Sequence, residues 1–196
     1  MTDVTTLLLA RHGETDWNRE GRFQGHADPP LNDLGRAQAR ALADRLAGER
    51  LAAVYASPLR RAYETAEIVA AAHGLPVRSS AGLREVDVGS WSGLTRPEVE
   101  ARFPEGFRRW LEYGHGWEDG ETYGELAERV IPSLLSLAAA NGSGPVLAVT
   151  HGGPIRAAIA HASGISHAEA RRAATAIENC GVIRLAVVAG RLRPLE

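Results

Sequence analysis

The stretch that decides the fold is Leu7-Leu8-Leu9-Ala10-Arg11-His12-Gly13-Glu14-Thr15, in which an apolar run leads directly into charged residues. The segment Thr5–Ala10 is continuous enough to predict a strand that is buried on both faces. A second apolar run, Val146–Thr150, leads in the same way into His151-Gly152-Gly153. In open α/β sheets, ligands bind outside the carboxyl ends of the strands. Two strand ends that each deliver a histidine, one of them beside an arginine, therefore indicate a site for an anion.

The remaining strands and helices alternate along the chain. Apolar runs predict further strands at Ala52–Ala56, Pro76–Arg78 and Val182–Val188, the last being the final strand of the chain. Apolar periodicity predicts helices over Leu34–Leu46, from Ser57 to about Ala72, over Glu121–Ala140 and from about Pro154. Ser57 is expected to cap its helix, because the proline that follows suits the first helical position. This order predicts a single α/β domain over residues 1–196, with a mostly parallel central sheet and helices on both faces.

Composition narrows the classes of function that the chain can have. Its 196 residues suit one domain, and a hydrophobic fraction of 44% is enough for a sizeable core. A net charge of −2 and the lack of a long basic run argue against nucleic acid or an anionic membrane as a partner. The single Cys180 excludes an intrachain disulfide and a cysteine-based zinc site. With no secretory signal or spanning segment recognisable, a cytoplasmic protein is expected.

Further polar groups could complete a site for a phosphate monoester. The dianion must be bound, the phosphorus attacked in line and the leaving oxygen protonated. Arg61 lies in the first turn of the helix predicted from Ser57, where free backbone N–H groups also favour an anion. Gly152 follows His151 and lets backbone approach a ligand closely. Glu85 is the carboxylate that is best placed by its motif to supply the proton.

Four motifs occur in a fixed order and carry a resemblance to a known family. They are Arg-His-Gly-Glu-Thr at 11–15, the pattern S-x-x-x-R-A-x-x-T-A at 57–66, Leu-Arg-Glu at 83–85 and Thr-His-Gly at 150–152. Arg-His-Gly alone is a weak signal, but the four together are specific. By these motifs the chain resembles the histidine phosphatase superfamily, also called the phosphoglycerate-mutase-like family, over nearly its whole length.

The resemblance implies a role for each matching residue. His12 would attack phosphorus and become phosphohistidine, and Glu85 would protonate the leaving oxygen and later activate water. The residues that would contact the phosphoryl group are Arg11, Asn18, Arg61 and His151. The chemistry of the family uses no metal, and the resemblance implies no cofactor. The expected partner is a small phosphorylated metabolite.

The general acid is the assignment that the residues themselves leave open. Asp87 lies two residues beyond Glu85, and an extended segment would present both carboxylates on one face. The motif match favours Glu85. Gln24 and Gly25 follow the first loop, and we expect them to contact substrate.

Most aromatic residues of the chain lie in an irregular segment at about 91–123, for which we predict two short helices. This segment is expected to form a cap that shapes the substrate pocket, since pockets are commonly apolar with few polar groups. A small satellite core under a long loop would give the same pattern, and both can hold at once. The aromatic residues are Trp91, Phe103, Phe107, Trp110, Tyr113, Trp117 and Tyr123.

Three alternatives to a phosphatase are considered. A phosphoglycerate mutase would use the same phosphohistidine, but mutases of the family carry a longer insertion between the acid and the second histidine, and Phe23-Gln24-Gly25-His26 departs from the mutase-like F-T-G-W. A non-catalytic phospho-ligand-binding protein would usually lack one of the catalytic groups. A metal hydrolase is disfavoured because two arginines would oppose a cation. The sequence leaves open the natural substrate and the oligomeric state, a homodimer included.

Overall fold

A mixed, mostly parallel sheet forms the centre of the protein. Within residues 4–142, 144–173 and 177–195, which the computed structural model describes, six strands form one sheet. They are β1 (Val4–Arg11), β2 (Ala53–Ala56), β3 (Val77–Ser79), β4 (Val146–Thr150), β5 (Val182–Val188) and β6 (Arg191–Pro194). Their order is β3-β2-β4-β1-β5-β6, with the first four parallel and the last two antiparallel to their neighbours. The predicted fold class is confirmed.

Helices cover both faces of this sheet. The helices of the described chain are α1 (Asp16–Arg19), α2 (Asp33–Leu46), α3 (Arg60–His73), α4 (Arg96–Arg102), α5 (Pro104–Tyr113), α6 (Tyr123–Ala139), α7 (Gly152–Ser163) and α8 (His167–Ala173). Short 3₁₀ turns occur at Ala81–Leu83 and Gly89–Trp91. Helices α2 and α3 pack on one face, and α6 and α7 on the other. The two short helices predicted at about 91–123 are α4 and α5.

Alternation along β1 explains why its sequence is apolar throughout. Leu8 and Ala10 pack into the core beneath α2 and α3, whereas Leu7 and Leu9 pack into the core on the opposite face. Because neither face contacts water, a break in the apolar run would place a polar group in one of the two cores. The first polar side chains can therefore occur only where the strand leaves the sheet.

Two predictions about individual elements are wrong, one about a helix cap and one about the last strand. Helix α3 begins at Arg60 with Leu59 at its N-cap, so Ser57 does not cap it. The Ser57 hydroxyl lies instead 2.8 Å from Nε2 of His151, a contact with a residue far along the chain. Nor is Val182–Val188 the last strand, because the chain turns back and β6 pairs with it as the edge of the sheet.

No helix in the described part of the chain combines the length and apolar character needed to cross a membrane.

Close backbone packing between the loop after β1 and the start of α2 should make Gly35 intolerant of a side chain. A Cβ atom at Gly35 would overlap the backbone of Glu14, whereas one at Gly48 would meet nothing within 4 Å. We expect Gly35→Ala to lower the free energy of unfolding by about 1–3 kcal/mol, and Gly48→Ala to change it by less than about 0.5 kcal/mol. Urea denaturation measures both. Equal stability of the two variants would contradict this packing.

Candidate active site

The pairing of β1 with β4 brings the two predicted histidines together. Arg11 lies opposite Thr150 in the parallel register, so that His12 and His151, each the next residue, leave the sheet side by side. Their ring centroids are 5.1 Å apart. A cavity of about 800 Å³ opens in front of them. The predicted site residues that line it are Arg11, His12, Asn18, Gln24, Gly25, Arg61 and Glu85.

Two of the predicted residues do not line this cavity. His151 is fully buried, and its ring packs against that of His12. Gly152 is also buried and begins helix α7. The structure thus brings all nine predicted residues into one region: seven line the cavity, and His151 and Gly152 are buried beside them.

His12 is held in one tautomer by its own loop. Its Nδ1 atom lies 2.7 Å from the carbonyl oxygen of Gly13, which can only accept a hydrogen bond. Nδ1 must therefore carry the proton, and Nε2 of the neutral ring keeps a lone pair. Burial, reinforced by the positive charges of Arg61 and Arg11, holds the pKa of His12 well below its usual range. The ring is therefore neutral at physiological pH.

The ring of His151 makes different contacts from that of His12. Its Nε2 atom lies 2.8 Å from the hydroxyl of Ser57, and its Nδ1 atom is buried without a hydrogen-bond partner among the described residues. Burial again lowers its pKa well below the usual range, with Arg61 and His12 adding to the effect. If the Ser57 hydroxyl donates to Nε2, the proton of the neutral ring lies on Nδ1 and is available to a ligand.

Two arginines supply positive charge, Arg61 from a fully buried position and Arg11 from a half-buried one. Arg61 donates to the carbonyl oxygens of Ala27 at 2.7 Å and Gly25 at 2.9 Å, and Arg11 donates to that of Ile177 at 2.6 Å. The Nε atoms of both arginines are buried without a partner in the described chain. Burial lowers the pKa of Arg61 to about 10, which leaves it charged at neutral pH. An unsatisfied buried donor costs about 1–3 kcal/mol, so these groups favour a bound anion.

Asn18 and Gln24 supply amide groups to the same cavity. The Asn18 side-chain oxygen accepts from the backbone N–H of Thr15 at 3.1 Å, as part of the capping box of α1. Asn179 approaches the same oxygen at 3.4 Å, which leaves the Asn18 amide nitrogen to face a ligand. The side-chain oxygen of Gln24 is buried without a partner in the described part of the chain.

The two candidate general acids, Glu85 and Asp87, have different surroundings. Glu85 lines the cavity, and its Oε1 atom accepts from the backbone N–H groups of Val86 at 2.8 Å and Gly153 at 3.0 Å. Asp87 does not line the cavity; it accepts from the N–H of Gly89 at 3.0 Å and lies 3.5 Å from Nδ1 of His26. The geometry therefore favours Glu85 as the group that meets a substrate.

The position of Glu85 depends on a residue that the sequence did not indicate. Arg129 on α6 donates to the carbonyl oxygens of Gly82 at 3.0 Å, Arg84 at 2.8 Å and Glu85 at 2.7 Å. It also pairs with Glu121. The guanidinium therefore fixes the backbone that carries Glu85. No local signal marks Arg129 for this role, because its three carbonyl partners lie 44 to 47 residues away along the chain.

The aromatic segment both packs together and lines the cavity. Trp91, which is 1% exposed, packs against Phe23, Trp110 and Trp117. Trp110, Trp117 and Tyr123 also lie on the cavity surface. Both readings of this segment therefore describe it in part. The side chain of Tyr113 lies outside what the structure describes.

The charge of the cavity suits an anion. Six arginines line it, and Glu85 is the acidic residue among its described lining. Within the described chain, no group of three or more histidine, cysteine or acidic side chains is arranged to hold a metal ion. A cation site built on His12 and His151 would also face Arg11 and Arg61.

Comparisons with known proteins agree with this arrangement. Residues 7–195 match the histidine phosphatase superfamily (branch 1). Phosphoserine phosphatase 1 of Hydrogenobacter thermophilus is 39% identical over 156 residues, which cover 79% of this chain and 74% of that protein. Glucosyl-3-phosphoglycerate phosphatase of Mycolicibacterium vanbaalenii is 38% identical over 176 residues, covering 83% and 76%.

A solved structure extends the likeness to the fold. YhfR of Bacillus stearothermophilus superposes with a TM-score of 0.91 at 32% identity, covering 97% of this chain and 95% of that one. The match therefore includes the sheet, both helical layers and the cap segment. Together with the family match over residues 7–195, it establishes that the chain belongs to the histidine phosphatase superfamily, branch 1.

Proposed function

We propose that this phosphoric monoester hydrolase moves the phosphoryl group of a small phosphorylated metabolite first to Nε2 of His12 and then to water. The observation that carries the proposal is the hydrogen bond between Nδ1 of His12 and the Gly13 carbonyl, which leaves the Nε2 lone pair free beside the charges of Arg11 and Arg61. The relatives named as phosphoserine and glucosyl-3-phosphoglycerate phosphatases support hydrolysis over isomerisation.

Binding of the phosphoryl group would use the donors that lack partners. Arg11 and Arg61 offer their Nε–H groups, Asn18 offers its amide and His151 offers Nδ1–H. Fixed donors of this kind need no reorganisation as negative charge shifts between the phosphoryl oxygens during transfer. Arg61 is fully buried and Arg11 half-buried, which strengthens the attraction because it acts in a medium of reduced dielectric constant.

In the first step, the Nε2 lone pair of His12 forms the N–P bond while the bond between phosphorus and the ester oxygen breaks. Glu85 gives its proton to that oxygen, and the alcohol leaves. In the second step, Glu85 takes a proton from water as the water oxygen attacks phosphorus. The N–P bond breaks, inorganic phosphate leaves, and both residues return to their starting states.

A covalent phosphoenzyme on His12 is the direct test of this function. Rapid quenching with a ³²P-labelled phosphomonoester should trap an acid-labile, base-stable adduct at His12. His12→Ala should trap none and release no phosphate, whereas His161→Ala, at an exposed histidine on α7, should behave as wild type. Phosphate release by His12→Ala would contradict the proposal, as would an adduct on another residue.

The role of Glu85 can be separated from that of Asp87 by the leaving group. An alkyl alkoxide needs a proton as it leaves, whereas p-nitrophenolate needs little help, and general acid catalysis contributes about 10²–10⁴ in rate. Glu85→Gln should therefore slow phosphoenzyme formation strongly with an alkyl phosphate and only mildly with p-nitrophenyl phosphate. Water must still be deprotonated in the second step. The variant should thus show a nitrophenolate burst about equal to the enzyme concentration, then slow turnover.

Asp87→Asn is the matched control, because it removes a carboxylate two residues away that lies off the cavity. Its time course of nitrophenolate release should match that of the wild-type protein, both in the early phase and in the steady state. If Asp87→Asn gives the burst and Glu85→Gln does not, the acid is Asp87 and the assignment is wrong.

The buried histidines should make stability depend on pH. The pKa values of His12 and His151 are held well below their usual range, whereas an unfolded histidine has a pKa of about 6.5. Below about pH 6.5 the unfolded chain therefore binds more protons than the folded one, so stability is lost as pH falls. The urea midpoint should drop between about pH 7 and 5, and it should drop less in His151→Asn. His161→Asn, at an exposed position, should keep the wild-type drop. An equal drop in His151→Asn would contradict this origin.

A further inference from the structure

Arg156 brings a further guanidinium group to the cavity. It lies on α7, is half-buried and lines the same cavity as His12. Its Nη1 atom is 3.1 Å from the position that a Cβ atom on Gly152 would occupy, so the side chain folds back over the first turn of its own helix. The absence of a side chain at Gly152 leaves the space that this arrangement needs.

Arg156 adds positive charge to a part of the cavity that is already positive. The start of a helix carries partial positive charge, and a cation is disfavoured there. Arg156 also repels Arg11: burial lowers the pKa of Arg11, Glu85 opposes that shift, and Arg156 adds to it. No acidic side chain in the described part of the chain forms an ion pair with Arg156. These three features together indicate that an anion would stabilise the group.

The other arginines at the cavity already have partners or assigned roles. Arg22 pairs with Glu20 at 2.6 Å, and Arg96 lies over the ring of Trp110 at 5.3 Å. Arg11 and Arg61 are assigned to the phosphoryl dianion, whose two charges they balance. Arg156 is therefore left with one half-buried charge, and the exposed Arg172 adds to it from the rim of the cavity.

We propose that Arg156 binds a carboxylate of the substrate, so that the enzyme prefers phosphomonoesters that carry a carboxylate close to the ester. A monoanion matches the single unbalanced charge, and its two oxygens match the planar fork of a guanidinium. This inference rests on the proposed function, because it assigns the phosphoryl group to Arg11 and Arg61 and places the carboxylate next to them.

Pairs of substrates that differ in this one group provide the test. 3-Phosphoglycerate is compared with glycerol 3-phosphate, and phosphoserine with phosphoethanolamine. The wild-type protein should show the higher kcat/KM on the carboxylated member of each pair. Arg156→Met should lower kcat/KM for the carboxylated members by about 10- to 100-fold, the range for a charge-assisted hydrogen bond. It should lower kcat/KM for glycerol 3-phosphate, phosphoethanolamine and p-nitrophenyl phosphate by less than about 3-fold, since a side chain without a partner there contributes little.

Matched variants separate local binding from total charge. Arg40→Met removes the same charge from an exposed position on α2 and should leave every ratio unchanged. Arg156→Lys keeps the charge but not the fork, and should recover part of the loss.

Several results would overturn the proposal. Equal losses on all substrates in Arg156→Met would assign Arg156 to the phosphoryl group. Equal wild-type kcat/KM within each pair would exclude a carboxylate subsite, even if the variant failed to fold. Faster wild-type hydrolysis of fructose 1,6-bisphosphate than of 3-phosphoglycerate would assign a second phosphoryl group to Arg156. A wild-type protein inactive on p-nitrophenyl phosphate and on both pairs would instead reject the proposed function itself.

Discussion

The parallel pairing of β1 with β4 is the constraint on which the rest of the structure depends. It places Arg11 opposite Thr150, so that two segments nearly 140 residues apart end at the same level of the sheet. A shift of one residue would turn every side chain of β1 to the other face, so that Leu8 and Ala10 would exchange cores with Leu7 and Leu9. The register that fills the cores is thus the register that places His12 beside His151.

Positive charge is concentrated where this pairing ends. Arg61 is fully buried, and it contributes to the lowered pKa values of both histidines. The site therefore holds neutral imidazoles among fixed cations, which is the combination that nucleophilic attack on a bound dianion requires. The carboxyl of Glu85 is held apart from this group by backbone N–H groups of Val86 and Gly153.

The sequence alone predicts the parts of the structure that depend on patterns of neighbouring residues. The apolar runs predicted the central strands, and the polar residues at their ends line the cavity or are buried beside it. Contacts between distant segments could not be read in this way. Serine is a residue type that commonly caps helices, yet the hydroxyl of Ser57 contacts His151, 94 residues away. Arg129 looks like an ordinary surface residue of an amphipathic helix, and its carbonyl partners become apparent only when α6 lies against the loop at 82–85.

The cap segment at about 91–123 has a consequence for how such an enzyme can diversify. It is inserted between β3 and β4, outside the pairing that aligns the two histidines. Its aromatic residues hold together mainly through one another, around Trp91. The chain can therefore exchange residues on the cavity side of the cap without disturbing the strand register. Mutation can thus reshape this part of the cavity wall while the strand ends that carry the two histidines stay fixed.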